Sequence, residues 1–255
     1  MTRLPGFQED ARDTLNAVSS SGEMGTLRRV ASRHVPLIMH SGLNTLWRIC
    51  LAYDSWIVRA YVWGRFGIMR QRFLDEIGQY LPSQGRVLDI GCGFGLFSLY
   101  FASTRPGLYL RGFDLNPNRI LTARGAAKQL DIRNVEYDVR DAREYRRDEQ
   151  FDAAYMLDLL HHIPESAAEP LLRAVAASLN PGGVLLVKDV DTRPAYKRMF
   201  TRVLDLLMDP HAPVHYWPAP KLHTMLESLG FCVYRHKMID VLPYPHVLFI
   251  CQKQG

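Results

Sequence analysis

Three glycines at alternate positions constrain this chain more than any other feature. They stand in Asp89-Ile90-Gly91-Cys92-Gly93-Phe94-Gly95, at the end of a short apolar run and before apolar residues at helical spacing. The pattern predicts a buried strand, a tight turn and a helix. Glycine is needed where the backbone turns sharply or lies against a ligand, because a Cβ would clash there. The helix that follows presents its free N–H groups to such a ligand.

From residue 84 onward the sequence alternates between short apolar runs and segments with helical periodicity. Five strand–helix repeats, followed by two strands without a helix between them, predict an α/β fold with a doubly wound, seven-stranded, mostly parallel sheet ending in an antiparallel hairpin. Ligands bind such sheets beyond the carboxyl ends of the strands. The predicted strands are 86–90, 109–114, 135–138, 151–157, 183–189, 231–237 and 246–252, and the predicted helices are 96–103, 116–129, 164–179, 194–208 and 219–229.

The spacing of the acids relative to the glycines distinguishes two nucleotide-binding families. A nicotinamide fingerprint has Gly-x-Gly-x-x-Gly with its acid at the end of the second strand, whereas here Asp89 stands two positions before the first glycine of Gly-x-Gly-x-Gly. Together with Asp114 after the second strand, Asp141 after the third and Leu-His-His-Ile-Pro after the fourth, this order resembles the class I S-adenosylmethionine-dependent methyltransferases. The resemblance covers about residues 84–252. It implies a Rossmann-like methyltransferase fold with S-adenosyl-L-methionine as cofactor.

The resemblance also implies which residues hold the cofactor. Asp89 and the glycine backbone would take its zwitterionic methionine end, Asp114 its ribose hydroxyls, and Asp141 with the next N–H its adenine. The alternatives are that Asp114 only caps the following helix and that Asp141 only makes a turn. The complete implied set is Asp89, Gly91, Cys92, Gly93, Gly95, Asp114, Leu115, Asp141, Ala142, Met156 and Leu157.

Candidate catalytic groups cluster after the fourth and fifth strands. They are Asp158, His161, His162 and Asp189. A histidine can take a proton from a hydroxyl or enol as it is alkylated, because its pKa lies near the working pH, and we predict that Asp189 pairs with His162. The alternative is that one histidine satisfies backbone groups while the other is exposed, and that orientation of the donor alone suffices for methyl transfer. No third ligand of familiar spacing joins Asp189 and Asp191, so we predict no metal.

The segments outside the predicted sheet are expected to contact the acceptor. We predict a mobile segment over residues 1–25, a helical cap over 26–83, and a cofactor-binding domain over 84–255 with an insertion at 192–220. Predicted cap helices span 27–39, 43–63 and 66–81. The middle one is the most apolar run in the chain, and its three charged residues argue against a membrane span. It is either a wall of the acceptor pocket or an interfacial helix on a membrane. The predicted acceptor-binding residues are Tyr53, Trp56, Tyr216 and Trp217.

Composition limits the partners. The net charge of +5 over 255 residues is too small to indicate nucleic acid, and the Asn/Asp-Pro-Pro-Tyr signature of nucleobase methylators is absent after the fourth strand. The four cysteines lack framework spacing, and no signal-peptide core is present, so we expect a cytoplasmic protein. Peripheral membrane contact through 43–63 is the expected exception, and the oligomeric state is left open.

The function predicted from these features is methylation of an oxygen or carbon on a small, fairly apolar acceptor. An aromatic, quinone-like, polyketide or lipid-like molecule fits, either free or tethered to a carrier. Two alternatives remain. One is a nicotinamide-dependent oxidoreductase, which the glycine spacing disfavours. The other is a non-catalytic protein that keeps the cofactor-binding fold.

Overall fold

The structure, a computed structural model, describes residues 41–68, 71–190, 215, 217–237 and 246–254. The predicted helices 27–39 and 194–208 and the predicted acceptor residue Tyr216 lie outside the described residues. The described helices are α1 (Ser41–Leu51), α2 (Trp56–Ile68), α3 (Gln71–Gly78), α4 (Leu96–Thr104), α5 (Pro117–Gln129), α6 (Glu165–Ser178) and α7 (Ala219–Ser228). The strands are β1 (Gly85–Ile90), β2 (Leu108–Asp114), β3 (Val135–Val139), β4 (Phe151–Leu157), β5 (Leu179–Val190), β6 (Phe231–Lys237) and β7 (His246–Lys253).

The seven strands form one sheet in the order β3-β2-β1-β4-β5-β7-β6. The pairs from β3 to β5 are parallel, and β7 runs antiparallel to both β5 and β6. The order reverses between β1 and β4, which is the point where such sheets bind ligands. The predicted fold class and its hairpin ending are confirmed.

Two hydrophobic clusters cover the two faces of the sheet. One cluster joins Leu46 of α1, Val62 of α2 and Leu74 of α3 to buried residues of α4, α5 and the sheet. The other joins α6 and α7 to the opposite face, with Leu171 and Leu222 as members. The described helices that precede the sheet therefore share their core with it.

The helix predicted over residues 43–63 is in fact two helices, α1 and α2. Ser55 precedes α2 and its carbonyl accepts the N–H of Arg59 (3.0 Å), as expected of a helix-capping residue. The Arg59 Nε donates back to the carbonyl of Tyr53 (2.5 Å), which fixes the chain between the helices. The helix predicted over 66–81 is likewise divided, because α2 extends into it and α3 follows.

The Asn-Pro-Gly-Gly segment before the fifth strand lies inside β5 rather than before it. Phe151 pairs with Leu179 and Ala153 with Val184, so the residues between them bulge out of the ladder. Gly182 has φ 75° within this bulge, a conformation that glycine adopts without a steric penalty. The turn chemistry was predicted correctly, but its effect is a β-bulge.

Candidate active site

The three glycines after β1 form a loop, Gly91–Gly95, that needs glycine for two separate reasons. Their φ angles are 73°, 55° and 75°, in the left-handed region. A Cβ at Gly91 would lie 2.8 Å from a methyl of Leu159, and one at Gly95 would lie 2.5 Å from the hydroxyl oxygen of Tyr137. Side chains at these two positions are therefore excluded by sterics as well as by backbone conformation.

Backbone hydrogen bonds fasten this glycine loop to the end of β2. The N–H groups of Gly91 and Cys92 both donate to the carbonyl of Phe113 (2.9 Å each), and the N–H of Gly95 donates to the carbonyl of Cys92 (2.9 Å). The Cys92 side chain is buried. Any contact of Cys92 with a ligand would therefore come from its backbone.

Asp114 ends β2 and faces the glycine loop. Its Oδ2 accepts the N–H of Gly93 (3.0 Å) and its Oδ1 accepts the N–H of Asn116 (2.9 Å). These bonds use two of about four lone pairs on the carboxylate, so acceptor capacity remains for a diol such as ribose. Leu115 is 60% exposed, and Val139 at the end of β3 is also exposed. This apolar surface fits an adenine ring.

The alternative helix-capping role belongs to Asn116 rather than to Asp114. The Asn116 Oδ1 accepts the N–H groups of Asn118 (2.9 Å) and Arg119 (3.2 Å) at the start of α5. Asp114 therefore does not cap α5.

Asp89 is a buried carboxyl group beneath the glycine loop. The Tyr155 hydroxyl donates to its Oδ2 (3.0 Å). Burial raises the pKa of Asp89 to about 7, against hydrogen bonds from Ser98 and Tyr155 that lower it, and the neighbouring Asp114 raises it further. A cationic group bound at the loop would favour the ionised form, which suits the ammonium of a methionine moiety.

Asp141 follows β3 and begins the short 3₁₀ turn Ala142–Glu144. Its carboxylate accepts the N–H and the guanidinium of Arg143, which lowers the pKa of Asp141. The competing acid Asp138 is held by the Nε of Arg111 (2.8 Å). Asp141 is therefore an ionised acceptor, and it remains the predicted partner of the adenine amino group.

The end of β4 contributes backbone more than side chains. Met156 is fully buried in the cluster under α6 and α7, and Leu157 is buried in the cluster on the other face. A contact between Met156 and a bound cofactor would therefore come from its main chain. Met156 and Leu157 remain predicted cofactor residues.

The segment Asp158–His162, named here the β4 turn, lies directly against the glycine loop. Asp158 has φ 58°, one of two described non-glycine residues with positive φ. Leu159 is the side chain that a Cβ at Gly91 would strike. Residues Leu160–His162 form a 3₁₀ turn, and both histidines therefore follow directly after the residue that contacts the glycine loop.

Asp189 pairs with His161, not with His162 as predicted. The His161 Nδ1 lies 2.6 Å from the Asp189 Oδ1, and both side chains are 3% exposed. The His162 ring lies beside it, with centroids 4.1 Å apart. Adjacent residues of a 3₁₀ turn point in different directions, so only one of them can face β5.

Asp158 lies between two cations that the sequence reasoning missed. Its Oδ1 accepts from the Lys188 Nζ (2.6 Å) and its Oδ2 pairs with Arg65 of α2 (2.5 Å). Lys188 has no exposed surface. A lysine inside an apolar strand requires a buried partner, and that was the available signal.

The predicted acceptor residues do not come together. Tyr53 is only 1% exposed and its hydroxyl donates to the carbonyl of Phe94 (3.0 Å), so it supports the glycine loop instead of lining a pocket. Trp56 is 76% exposed on the outer surface. Trp217 is buried and its indole nitrogen makes no hydrogen bond within the described part of the chain. Tyr216 lies outside that part.

Among the described residues, no three His, Cys, Asp or Glu side chains are grouped as a metal site would require. Nor does any described helix have the length and apolarity to cross a bilayer.

Comparison with known proteins agrees with this geometry. A family model described as "Methyltransferase domain" matches residues 64–236, more than half of the chain. A protein of Xanthomonas axonopodis pv. citri named ubiquinone biosynthesis O-methyltransferase is 34% identical over 116 residues, which are 45% of this chain and 46% of the relative. The chain thus spans about half the length of the curated relatives it matches.

Solved structures share the fold. An O-methyltransferase family protein from Burkholderia thailandensis has a TM-score of 0.60 and 22% identity, covering 73% of this chain and 57% of that one. An S-adenosylmethionine-dependent methyltransferase from Methanosarcina mazei has a TM-score of 0.58 and 24% identity, covering 70% of this chain and 97% of that one. The chain belongs to the methyltransferase domain family, and the predicted class, with S-adenosylmethionine as cofactor, is confirmed.

Proposed function

We propose that this chain methylates a hydroxyl oxygen of a small, fairly apolar acceptor. The observation that carries the proposal is the buried pair of His161 and Asp189, in which His161 belongs to the same β4 turn that packs Leu159 against the glycine loop. The name of the Xanthomonas relative, ubiquinone biosynthesis O-methyltransferase, supports oxygen over carbon as the methylated atom. It also supports an aromatic or quinone-like acceptor over the other predicted classes.

The chemistry assigns one task to each group. Bound S-adenosylmethionine supplies a methyl group on an electrophilic sulfonium. Asp189 accepts the Nδ1–H of His161, which favours the imidazole tautomer whose Nε2 can take the proton of the acceptor hydroxyl. The glycine loop, Asp89 and Asp114 orient the donor, and orientation is the largest contribution such a site makes.

Methyl transfer from labelled cofactor to a panel of hydroxylated aromatics, with and without a prenyl chain, tests the proposal. His161→Asn keeps an amide that can donate to Asp189 but removes the proton acceptor. We expect it to lower kcat about 100-fold, and His162→Asn to lower it less than tenfold. Affinity for S-adenosylhomocysteine is expected to change less than about threefold in both variants.

Three outcomes would contradict the proposal. If the turnover of His161→Asn stays within a few-fold of wild type, His161 is not the general base. Binding of NAD without binding of S-adenosylhomocysteine supports the oxidoreductase alternative. Cofactor binding without methylation of any acceptor, including an extract of the host's lipids and metabolites, supports the non-catalytic alternative.

We also propose that helices α1 and α2 contact an anionic membrane surface. Their exposed side includes a tryptophan face, and the Trp47 and Trp63 rings lie 4.8 Å apart on it. Tryptophan favours the membrane interface, and the exposed Arg48 beside this face suits anionic headgroups. An apolar acceptor would be available there. The tryptophan face consists of Trp47, Leu51, Trp56, Ile57 and Trp63.

A further inference from the structure

The β4 turn begins with a residue in the left-handed backbone conformation. Asp158 has φ 58°, a region that L-residues other than asparagine and aspartate rarely adopt. Three contacts hold it there. Its N–H donates to the carbonyl of Lys188 (3.0 Å), and its two carboxylate oxygens take the Lys188 ammonium (2.6 Å) and the Arg65 guanidinium (2.5 Å).

Lys188 is unusually placed for a lysine. Its side chain has no exposed surface, and its Nζ lies 5.6 Å from the ring centroid of Phe73 in α3. A cation in this position is stable because the Asp158 carboxylate neutralises it and an aromatic face borders it. Since Lys188 and Asp189 are adjacent in β5, their side chains point to opposite faces of the sheet.

The residues that follow Asp158 make the contacts on which the site depends. Leu159 packs against Gly91 of the glycine loop, and His161 pairs with Asp189. No more than three residues separate these groups from Asp158, so a change in the conformation of Asp158 moves both. Because Arg65 lies on α2, the conformation of Asp158 also depends on a helix outside the sheet.

We propose that Lys188 and Arg65 are positioning residues for methyl transfer. They hold Asp158 in its left-handed conformation, and so place Leu159 against the cofactor loop and His161 against Asp189. Asp158, with a cation on each carboxylate oxygen, is an anchor and not the general base. The inference rests on the proposed function for the role of His161.

Arg65→Met tests the inference, because Arg65 is partly exposed and its loss is compatible with folding. We expect kcat to fall at least tenfold, since small displacements of reacting groups are costly, with the acceptor KM within about threefold. The low-field proton signal of the His161 Nδ1–H bond is expected to shift or broaden. Arg65→Lys, which can still pair with Asp158, is expected to recover most of kcat.

The matched control is Arg173→Met, which removes an exposed ion pair with Glu169 on α6. It is expected to leave kcat and the His161 signal unchanged. If Arg65→Met behaves like this control, the inference is overturned. The His161 signal needs no acceptor, so it decides the inference even when wild type methylates nothing in the panel, which would overturn only the proposed function.

A second variant covers Lys188, whose single substitution would leave a buried charge unpaired. Lys188→Met combined with Asp158→Asn removes both charges and keeps a residue that tolerates positive φ. We expect a folded protein whose His161 signal is displaced as in Arg65→Met. An undisplaced signal with wild-type kcat would contradict the role assigned to Lys188.

Discussion

At the scale of single residues, we predict that the carboxyl group of Asp89 couples folding to cofactor binding. It is buried against Tyr155, Ser98 and the neighbouring acid Asp114, and its pKa is raised from 3.8 to about 7. The protonated form is therefore favoured by the fold and the ionised form by a bound ammonium. The stability that the raised pKa contributes is present below the unfolded value and is lost as the pH rises through about 7.

The first prediction follows from this opposition. S-adenosylhomocysteine affinity is expected to fall as the pH drops below about 7, by up to about tenfold per unit, because a proton competes with the ligand's ammonium. Asp89→Asn is expected to bind weakly at every pH and to melt at the same or a higher temperature at pH 8. Calorimetric titration across pH and thermal unfolding measure both. A lower melting temperature would show that the Asp89 charge supports the fold instead.

The second prediction concerns Asp114, whose carboxylate accepts two backbone N–H groups. Asp114→Asn replaces one acceptor with a donor that faces an N–H. We expect about 10- to 100-fold weaker binding of S-adenosylhomocysteine, since an unmatched polar group costs about 1–3 kcal/mol. Asp138→Asn, the same change at the end of β3, is the control and is expected to bind normally. Equal affinities in both variants would exclude Asp114 from the cofactor site.

Residue identities were predictable from sequence where a backbone constraint dictates them. The glycines of the loop are of this kind, because all three have positive φ, whereas the cofactor roles of Asp89, Asp114 and Asp141 follow from the resemblance and stay predictions. The choice between His161 and His162 was not predictable, because neighbouring residues of a short turn differ only in direction, and the direction is set by Asp158. Lys188 was missed because its partner lies 30 positions away in the chain.

At the scale of elements, the break between α1 and α2 allows this part of the chain to contact the glycine loop. Tyr53 lies in that break and bonds the Phe94 carbonyl, and Tyr61 of α2 meets the Phe94 ring with centroids 5.5 Å apart. One unbroken helix would not present Tyr53 in this way. The periodicity of the apolar run concealed the break, since Asp54 and Ser55 read as helix-surface residues as readily as a capping signal.

The third prediction tests that contact. Tyr53→Phe removes one hydrogen bond from the glycine loop, and we expect S-adenosylhomocysteine to bind about three- to tenfold more weakly, equivalent to about 1 kcal/mol. Tyr145→Phe loses a similar buried bond, which joins Tyr145 to Ser178 of α6 (3.0 Å) and not to the glycine loop. Both variants are expected to lose comparable thermal stability, but only Tyr53→Phe is expected to lose affinity. If the affinity of Tyr53→Phe for S-adenosylhomocysteine is unchanged, Tyr53 contributes to the core and not to cofactor binding.

At the scale of the whole molecule, the tryptophan face predicts that the protein binds anionic membrane surfaces. We expect co-sedimentation with vesicles containing anionic lipid, weakened by salt because the arginine contribution is screened. Replacing Trp56 and Trp63 by Ser is expected to abolish binding, whereas Tyr234→Ser, an exposed aromatic on β6, is not. Self-association through the same face, seen by light scattering and lost in the Trp variant, would contradict the membrane assignment.

The architecture was the most predictable level. Seven apolar runs and their turn residues define the sheet, and its order follows from the resemblance. The contacts that join distant segments were not predictable, because the ion pair of Arg65 with Asp158 spans 93 positions and leaves no periodic signal. Nor did the sequence show whether Tyr53 lines a pocket or supports the glycine loop.

The position of β7 has a consequence for how the chain is made. Among the described strands, β6 pairs with β7 alone, and β7 lies between β6 and β5. During synthesis β6 therefore leaves the ribosome before its only neighbour, and β5 keeps an open edge until β7 follows. Open edges invite pairing with other chains. Nascent chains arrested before residue 246 are accordingly expected to be clients of chaperones, and the released chain of 255 residues is not.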